Sequence, residues 1–301
     1  MKIIDPHLHF FYLEQGDYHW LKTGNAPFWS DKALINKTFQ ESDLQLEPPI
    51  VLTGFVHIEA GFDNNQPWRE LAALVLTSHK LYRCIANINL TASTQCFKES
   101  LAALAQFDSF IGVRHLLDEQ ALSLLTNKQV TQNISLLNSF TTGAQQSLVF
   151  EIQMPFFSSA STQALCDMIQ SNPNLRFVIN HAGFPPEQTQ NKAWQCWQQN
   201  LLKVASFSNT AIKCSGWEIT NRHYQPAWVN ECLAVVFALF ASDRMMLASN
   251  FPLCNLSKSS YQAYWKSMIQ CSFFQLLTEQ EKSALCSDNA LKWYAMSGIL
   301  N

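Results

Sequence analysis

Two histidines near the start of the chain have the spacing of a catalytic or metal-binding pair. His7 and His9 follow the apolar opening of residues 1–4 and are separated by one residue. Side chains repeat every second residue along a strand, so on a strand both imidazoles point the same way. Converging imidazoles can ligate a metal ion, act as acid and base, or hydrogen-bond a substrate. The pair predicts a functional site if later strands bring further polar residues to the same place.

The elements that would position this pair follow a repeating pattern. Short β-branched or aromatic runs alternate with longer segments of helical periodicity, which is typical of repeated strand and helix units. The predicted strands are 2–10, 50–60, 83–90, 109–117, 147–155, 175–183, 210–218 and 244–252. The predicted helices lie near 67–80, 94–107, 119–141, 158–171, 190–207, 226–241, 258–272 and 278–296. Eight such units predict a (β/α)8 TIM barrel, with residues 1–301 as one domain.

Two local features refine this prediction. The segment 11–49 is a long first connection rich in aromatic residues. Long connections of this kind usually cover the mouth of a barrel, so we interpret it as a lid or substrate wall. At the other end, Thr278 and Glu281 have the spacing of a capping box and predict the start of the last helix.

Composition narrows the possible partners and location. The formal charge is −3 and the basic residues are dispersed, which argues against nucleic acid as a partner. The longest apolar run, 232–241, is too short to cross a membrane, and the first residues lack the apolar core of a signal peptide. Nine cysteines with no Cys-x-x-Cys pair indicate reduced, mostly buried thiols in a cytoplasmic protein. The sequence makes no prediction of oligomeric state.

Polar residues fall at the ends of six predicted strands, where barrel enzymes carry their chemistry. They are His7, His9, His57, Glu59, Arg114, His115, Glu151, Gln153, His181 and Asn250. Arg114 could bind a substrate carboxylate or sugar oxygens, or it could pair with Glu59 or Asp118. His57 could bind substrate, or be a buried histidine satisfied by the backbone. Gln153 and Trp29 could complete a small-ligand pocket.

The order of the motifs resembles a known family. DPHLHF, VHIEAGFD, GVRHLLD, FEIQM, VINHAGFP, KCSGWE, ASNFP and DNALKWY look like successive motifs of the amidohydrolase-related proteins. The similar branch contains sugar lactonases and 2-pyrone-4,6-dicarboxylate lactonase. This resemblance implies a (β/α)8 barrel that hydrolyses a lactone or a related carbonyl substrate. It also implies a site built from the first-strand histidines, the histidine of VINHAG and an acid at the end of the last strand.

Carried over to this chain, the resemblance assigns catalytic roles to His7, His9, His181 and Asn250. Asn250 stands where most relatives have the acid, and an amide cannot act as a base at neutral pH. His7, His9 and His181 would also be the ligands of one divalent ion, zinc or manganese, if a metal is bound. Metal-free chemistry is the alternative, because lactonases of this branch include proteins described as working without metal.

The predicted function is therefore a hydrolase that opens a small lactone or cleaves a related ester-like bond. Its substrate is expected to be a small anionic or polyhydroxylated molecule, bound by His57, Arg114, Gln153 and Trp29. One alternative is a metal-dependent decarboxylase or amide hydrolase of the same superfamily. Another is a barrel that has lost catalysis through Asn250 and binds a ligand without turning it over.

Overall fold

Eight parallel strands surround a common interior in the computed structural model, which describes residues 1–142 and 146–296. The strands are β1 (Lys2–Leu8), β2 (Val51–Ile58), β3 (Leu81–Asn87), β4 (Phe110–Arg114), β5 (Val149–Ile152), β6 (Arg176–Ile179), β7 (Thr210–Cys214) and β8 (Met245–Leu247). Each strand pairs with the next in sequence. The ring closes where the His9 amide donates to the Phe251 carbonyl at 2.7 Å and the Asn250 amide donates to the His7 carbonyl at 2.9 Å. The predicted (β/α)8 TIM barrel is confirmed.

Helices follow the strands around the outside. They are α1 (Trp68–Thr77), α2 (Thr94–Leu104), α3 (Ala121–Leu125), α4 (Lys128–Ser139), α5 (Ser159–Ser171), α6 (Lys192–Ala205), α7 (Trp217–Thr220), α8 (Pro226–Phe240), α9 (Tyr261–Ile269), α10 (Ser272–Gln275), α11 (Glu279–Ser283) and α12 (Asn289–Trp293). A π-helical turn, Ala284–Asp288, joins α11 to α12. The predicted capping box at the start of α11 is confirmed, because Thr278 and Glu281 hydrogen-bond each other reciprocally.

The pleat of the strands sorts their side chains into two cores. Residues such as Ile4, Val56 and Val178 pack together inside the barrel. Their neighbours in sequence, such as Ile3, Phe55 and Phe177, belong to the larger core that includes the buried faces of the helices. Since alternate residues of a strand face opposite sides, each strand serves both cores.

Several predicted boundaries are wrong: the strands predicted at 109–117, 175–183 and 244–252 are shorter in the structure, and three further cases concern 119–141, 210–218 and 258–272. The helix predicted at 119–141 is two helices, because Asn127 leaves the helical conformation and its side chain accepts from the amides of Gln129 and Val130 to start α4. The strand predicted at 210–218 ends at Cys214, because Gly216 has a φ of +70° and turns the chain into α7. The helix predicted at 258–272 likewise ends early, at Ile269.

The first connection is a packed wall with three short 3-10 turns, His19–Leu21, Lys32–Leu34 and Glu41–Asp43. The buried Lys32 Nζ donates to the carbonyls of Trp20 at 2.8 Å and Asn25 at 2.6 Å. The Trp20 indole N–H donates to the Ala60 carbonyl at 2.8 Å, just after β2. These bonds fix the connection to the carboxyl end of the barrel.

The last part of the chain covers the opposite end of the barrel. Ala290, Trp293, Tyr294 and Met296 belong to the interior core. The Arg83 guanidinium, near the start of β3, donates to the Ala295 carbonyl at 2.8 Å. We call residues 284–296 the barrel floor.

Within the described ranges, no helix is both long and apolar enough to span a bilayer. The nine cysteines all lie in these ranges as free thiols, and most are buried.

Candidate active site

Three histidines meet at the carboxyl end of the barrel. The ring centroid of His7 lies 5.1 Å from that of His9 and 4.6 Å from that of His181. An irregularity in the pairing of β1 with β2 falls between Asp5 and Leu8, just where the strand delivers this pair. All three side chains are buried. The sequence motif on β1 and the histidine after β6 are therefore brought together as predicted, although the roles of these residues stay predictions.

The three imidazoles are held in the neutral form. Burial, followed by repulsion from cations such as Lys213 and Arg114, lowers the pKa of His7 and of His181 well below 6.5. Burial and Arg114 also lower the pKa of His9 well below 6.5. Neutral imidazoles keep a lone pair and can ligate a metal or accept a proton.

The hydrogen bonds of the rings decide which nitrogens are open to a ligand. His9 Nδ1 donates to the Ile58 carbonyl at 2.8 Å, which leaves the lone pair on Nε2. His181 Nδ1 lies 3.1 Å from the Ser215 hydroxyl. Neither ring nitrogen of His7 has a hydrogen-bond partner within the described residues, although both are buried. A buried polar atom normally has a partner, so His7 is open to a ligand.

Unusual backbone conformations place two of the predicted residues. His181, Ala182 and Phe184 all have φ between 51° and 55°, in the left-handed region. Asn250, three residues after the end of β8, has a φ of 58°. Asparagine tolerates this left-handed conformation. For His181, Ala182 and Phe184 the same conformation costs energy, and such strained residues often mark a functional site.

Arg114 at the end of β4 is largely occupied by protein groups. Its Nε donates to Glu59 Oε1 at 2.8 Å, and its Nη2 donates to the Glu59 carbonyl at 2.8 Å. Its Nη1 donates to Gln153 Oε1 at 3.0 Å. The alternative pairing with Glu59 is thus present, and two of the five guanidinium N–H groups remain for a substrate.

His57 lies on the outer side of β2, two residues after Phe55, which belongs to the larger core between the strands and the helices. Its Nδ1 accepts from the Phe10 amide at 3.3 Å, and its Nε2 donates to Glu70 Oε1 at 2.9 Å. Both ring nitrogens are therefore occupied, which favours the structural interpretation of His57 over the predicted contact with substrate.

Asn250 has a carboxylate neighbour that sequence reasoning missed. Its side-chain amide donates to Glu218 Oε1 at 2.6 Å, and Glu218 lies on α7. Burial raises the pKa of Glu218 from 4.5 to about 7, against the opposing effects of the Asn250 hydrogen bond and the Arg222 charge. The motif KCSGWE contains this residue, but a single glutamate at the end of a predicted strand gave no indication of its partner.

A buried ion pair lies below His7. The Lys213 ammonium, on β7, contacts Glu151 Oε2, and the Tyr294 hydroxyl donates to Glu151 Oε1 at 2.6 Å. Glu151 Oε2 is 3.9 Å from His7 Nδ1. Burial lowers the pKa of Lys213 to about 8, although Glu151 raises it.

The first connection reaches the site through Trp29. The Arg222 guanidinium carbon lies 4.6 Å from the centre of the Trp29 ring, and Arg222 Nε donates to Asp31 Oδ2 at 2.7 Å. Arg222 also donates to the Glu218 carbonyl. Trp29 therefore contacts Arg222, which in turn binds Glu218, the partner of Asn250.

The donor types fit a divalent metal ion. Three neutral imidazoles converge, and His7 lacks a protein partner as described above; three neutral nitrogen ligands suit zinc. Among the described residues, however, no three His, Cys, Asp or Glu side chains already have their donor atoms arranged around one point. Metal binding at these histidines would therefore involve adjustment of the side chains.

The fold and the polar strand ends define a barrel enzyme with an imidazole-lined site. The sequence model of the amidohydrolase family matches residues 4–296, and the chain belongs to this family. Membership makes it an enzyme of the hydrolase type.

Three relatives illustrate the similarity. The uncharacterized protein y4mH of Sinorhizobium fredii is 26% identical over 97% of this chain and 98% of its own. L-fucono-1,5-lactonase of Burkholderia multivorans is 27% identical over half of each chain. The crystal structure of an amidohydrolase from Burkholderia multivorans with bound zinc has a TM-score of 0.79 and 18% identity, over 98% of this chain and 99% of its own. The last comparison supports the fold alone.

Proposed function

We propose that this protein hydrolyses a small lactone, and that its substrate is an uncharged, polyhydroxylated lactone of the sugar type. The observation that carries the proposal is the trio of buried neutral imidazoles, with His7 open to a ligand on both nitrogens. The similarity to a lactonase over half of the chain supports the choice of substrate class.

The three histidines act on the carbonyl group and the attacking water. His7, with its two open nitrogens, contacts the reacting group, and His9 offers the lone pair of Nε2. His181 is oriented by Ser215. A buried site strengthens each of these interactions because water does not compete for them. Asn250 contributes a neutral amide that donates to Glu218.

If one zinc or manganese ion is bound, His7, His9 and His181 would hold it, and it would supply a Lewis acid for the carbonyl and lower the pKa of water. The metal content of the purified protein, compared with that of His7→Ala, decides between metal-dependent and metal-free chemistry. About one equivalent that is lost in the variant supports the three-histidine ligand set.

Charge compensation favours an uncharged substrate over a dicarboxylate. Arg114 is paired with Glu59, Lys213 with Glu151 and Arg222 with Asp31. The remaining N–H groups of Arg114, together with Gln153 and Trp29, suit sugar hydroxyl groups and an apolar ring face. An anionic substrate would find its nearest cations already neutralised.

The test is a panel of sugar 1,5-lactones and pyrone dicarboxylates, with acid release followed by a pH indicator. We expect turnover of sugar lactones and a fall of about a hundredfold or more in kcat for His181→Ala. His223→Ala, at an exposed position, is the control and should keep the parent rate. Failure to accelerate any lactone above its spontaneous rate would contradict the proposal.

The alternatives have different products. A decarboxylase would release carbon dioxide, and an amide hydrolase would release an amine, from their substrates in the same assays with added zinc or manganese. A binding protein without catalysis would bind a lactone and release it unchanged.

A further inference from the structure

We propose that Glu218 accepts the proton of the attacking water and returns it to the leaving alkoxide, in place of the acid that position 250 lacks. This inference rests on the proposed lactone hydrolysis and adds a catalytic residue to it. It starts from the contact between the side-chain amide of Asn250, three residues after β8, and the buried carboxyl group of Glu218 on α7.

One oxygen of Glu218 is fixed and the other is open. Oε1 accepts from the Asn250 amide at 2.6 Å. Oε2 is buried and has no hydrogen-bond partner within residues 1–142 and 146–296, and the residue as a whole is 0% exposed. A carboxylate oxygen in this position would be left unsatisfied unless a ligand or proton reaches it.

The neighbours of Glu218 contact two of the three histidines. The backbone amide of Asn250 donates to the His7 carbonyl at 2.9 Å. Ser215, three residues before Glu218, contacts His181. Glu218 is therefore joined through Asn250 to the backbone of His7, and it lies three residues from the hydroxyl that contacts His181.

The charges around Glu218 suit proton exchange near neutral pH. Burial raises its pKa to about 7, while the Asn250 hydrogen bond and Arg222 oppose the rise. The other titratable groups that sense its charge are Tyr224, Cys254 and Tyr264, whose pKa values burial raises above their ordinary range, so these groups stay neutral. A group with a pKa near the working pH is an efficient acid and base.

The proton balance closes over one turnover. The water oxygen bonds to the lactone carbonyl carbon while its proton passes to the Glu218 carboxylate, and the carbonyl electron pair moves to oxygen. Collapse of the tetrahedral intermediate re-forms the carbonyl and breaks the bond to the ring oxygen. The leaving alkoxide takes the proton from Glu218, and the product acid ionises. The net reaction is lactone plus water to hydroxycarboxylate plus one proton.

Glu218→Gln is the primary test because Gln keeps the acceptor for Asn250 but cannot exchange a proton. We expect kcat to fall about a hundredfold or more with KM changed by less than about threefold. Glu231→Gln makes the same chemical change at an exposed position on α8 and should keep the parent kcat. Circular dichroism and thermal unfolding check that both variants are folded.

The reciprocal exchange Glu218→Gln with Asn250→Asp moves the carboxyl group back to the end of β8. Aspartate tolerates the positive φ of position 250. Recovery of about tenfold or more over Glu218→Gln supports the role, because one positioned acid or base is worth two orders of magnitude or more.

The wild-type pH profile keeps the proposal testable even if Glu218→Gln does not fold. The histidines have pKa values well below 6.5. In protein shown to contain no metal, where no metal-bound water titrates near 7, a rise of kcat/KM with an apparent pKa near 7 points to Glu218. A profile that is flat between about pH 6 and 8 overturns the role of Glu218.

Two failures have different meanings. If the wild type opens lactones and folded Glu218→Gln keeps its kcat and pH profile, the role of Glu218 is overturned and the proposed function stands. If the folded wild type opens no lactone, the proposed function and this role are both overturned.

Discussion

Ser215 contacts the Nδ1 side of the His181 ring and so orients this histidine. Its hydroxyl lies 3.1 Å from His181 Nδ1, and it is buried. A hydrogen bond to the far nitrogen of a catalytic or metal-binding imidazole fixes both the tautomer and the ring plane.

We expect Ser215→Ala to lower the turnover of the lactone substrate by about tenfold or more, because the ring of His181 loses its orienting partner. Steady-state kinetics with the preferred lactone measure the effect. Ser206→Ala, at an exposed position after α6, removes a hydroxyl far from the site and is the control. An unchanged kcat in Ser215→Ala would mean that His181 is held by packing alone.

A second residue-scale prediction follows from the raised pKa of Glu218. Its pKa rises from 4.5 to about 7 on folding, so the native state keeps a proton that the unfolded chain releases as pH rises. The wild type should therefore lose stability relative to Glu218→Gln between about pH 4.5 and 7, and no further above that range. One pKa unit is about 1.4 kcal/mol, so the difference is about 3 kcal/mol.

Denaturant unfolding of both proteins at a series of pH values measures this difference. A constant gap between wild type and Glu218→Gln from pH 4.5 to 8 would show that Glu218 has an ordinary pKa in the folded protein.

The turn between β7 and α7 depends on a residue without a side chain. Gly216 has a φ of +70°, and a Cβ atom there would lie 2.4 Å from His181 Nδ1. The turn thus requires glycine both for its backbone conformation and for the space that the imidazole occupies.

We expect Gly216→Ala to displace the imidazole and lower kcat about a hundredfold or more, which is the loss typical when a catalytic acid or base is moved. The matched control is Gly24→Ala, because no atom lies within 4 Å of a Cβ at that position. Kinetics and thermal unfolding of both variants separate loss of activity from loss of folding. Parent activity in Gly216→Ala would contradict a fixed role for His181.

The segments at the ends of β1 and β7 show what sequence patterns can and cannot predict. The His-x-His spacing predicted the pair on β1, because side-chain direction on a strand follows from spacing alone. The same rule gave no way to know that the strand at 210 ends at Cys214, so that Glu218 lies on a helix beside Asn250. The sequence also left two interpretations of His57 open, because which neighbours occupy its ring nitrogens depends on contacts with Phe10 and Glu70 that strand spacing does not give.

Contacts between distant segments are also beyond the sequence pattern. Tyr294 and Glu151 are separated by 143 positions and meet only because the floor closes the barrel. Collinear motifs predicted the order of the strands, and hence the fold, but not which buried charges would become partners.

At the scale of the whole molecule, the ion pair of Lys213 and Glu151 joins β7 to β5, the two strands on either side of β6, inside the barrel. Both side chains are fully buried, and Tyr294 of the floor is the third member of the network. Removal of one partner leaves an uncompensated buried charge, which typically costs about 3–5 kcal/mol.

We therefore expect Lys213→Met to lower the free energy of unfolding by about 3–5 kcal/mol, and the double variant with Glu151→Met to lose less. Denaturant unfolding at pH 7 measures both. Lys203→Met, at an exposed position on α6, should change stability by less than about 0.5 kcal/mol. Equal losses in the single and double variants would mean that the ion pair contributes little beyond its volume.

The floor also sets an order of events during protein synthesis. All eight strands emerge from the ribosome before residues 284–296, which supply Tyr294 to Glu151 and the carbonyls that Arg83 and Arg176 bind. A nascent chain with every strand already made still has an open interior at that end and incompletely bonded buried charges. The barrel can therefore complete its folding only after residues 284–296, and not merely the last strand, have been translated.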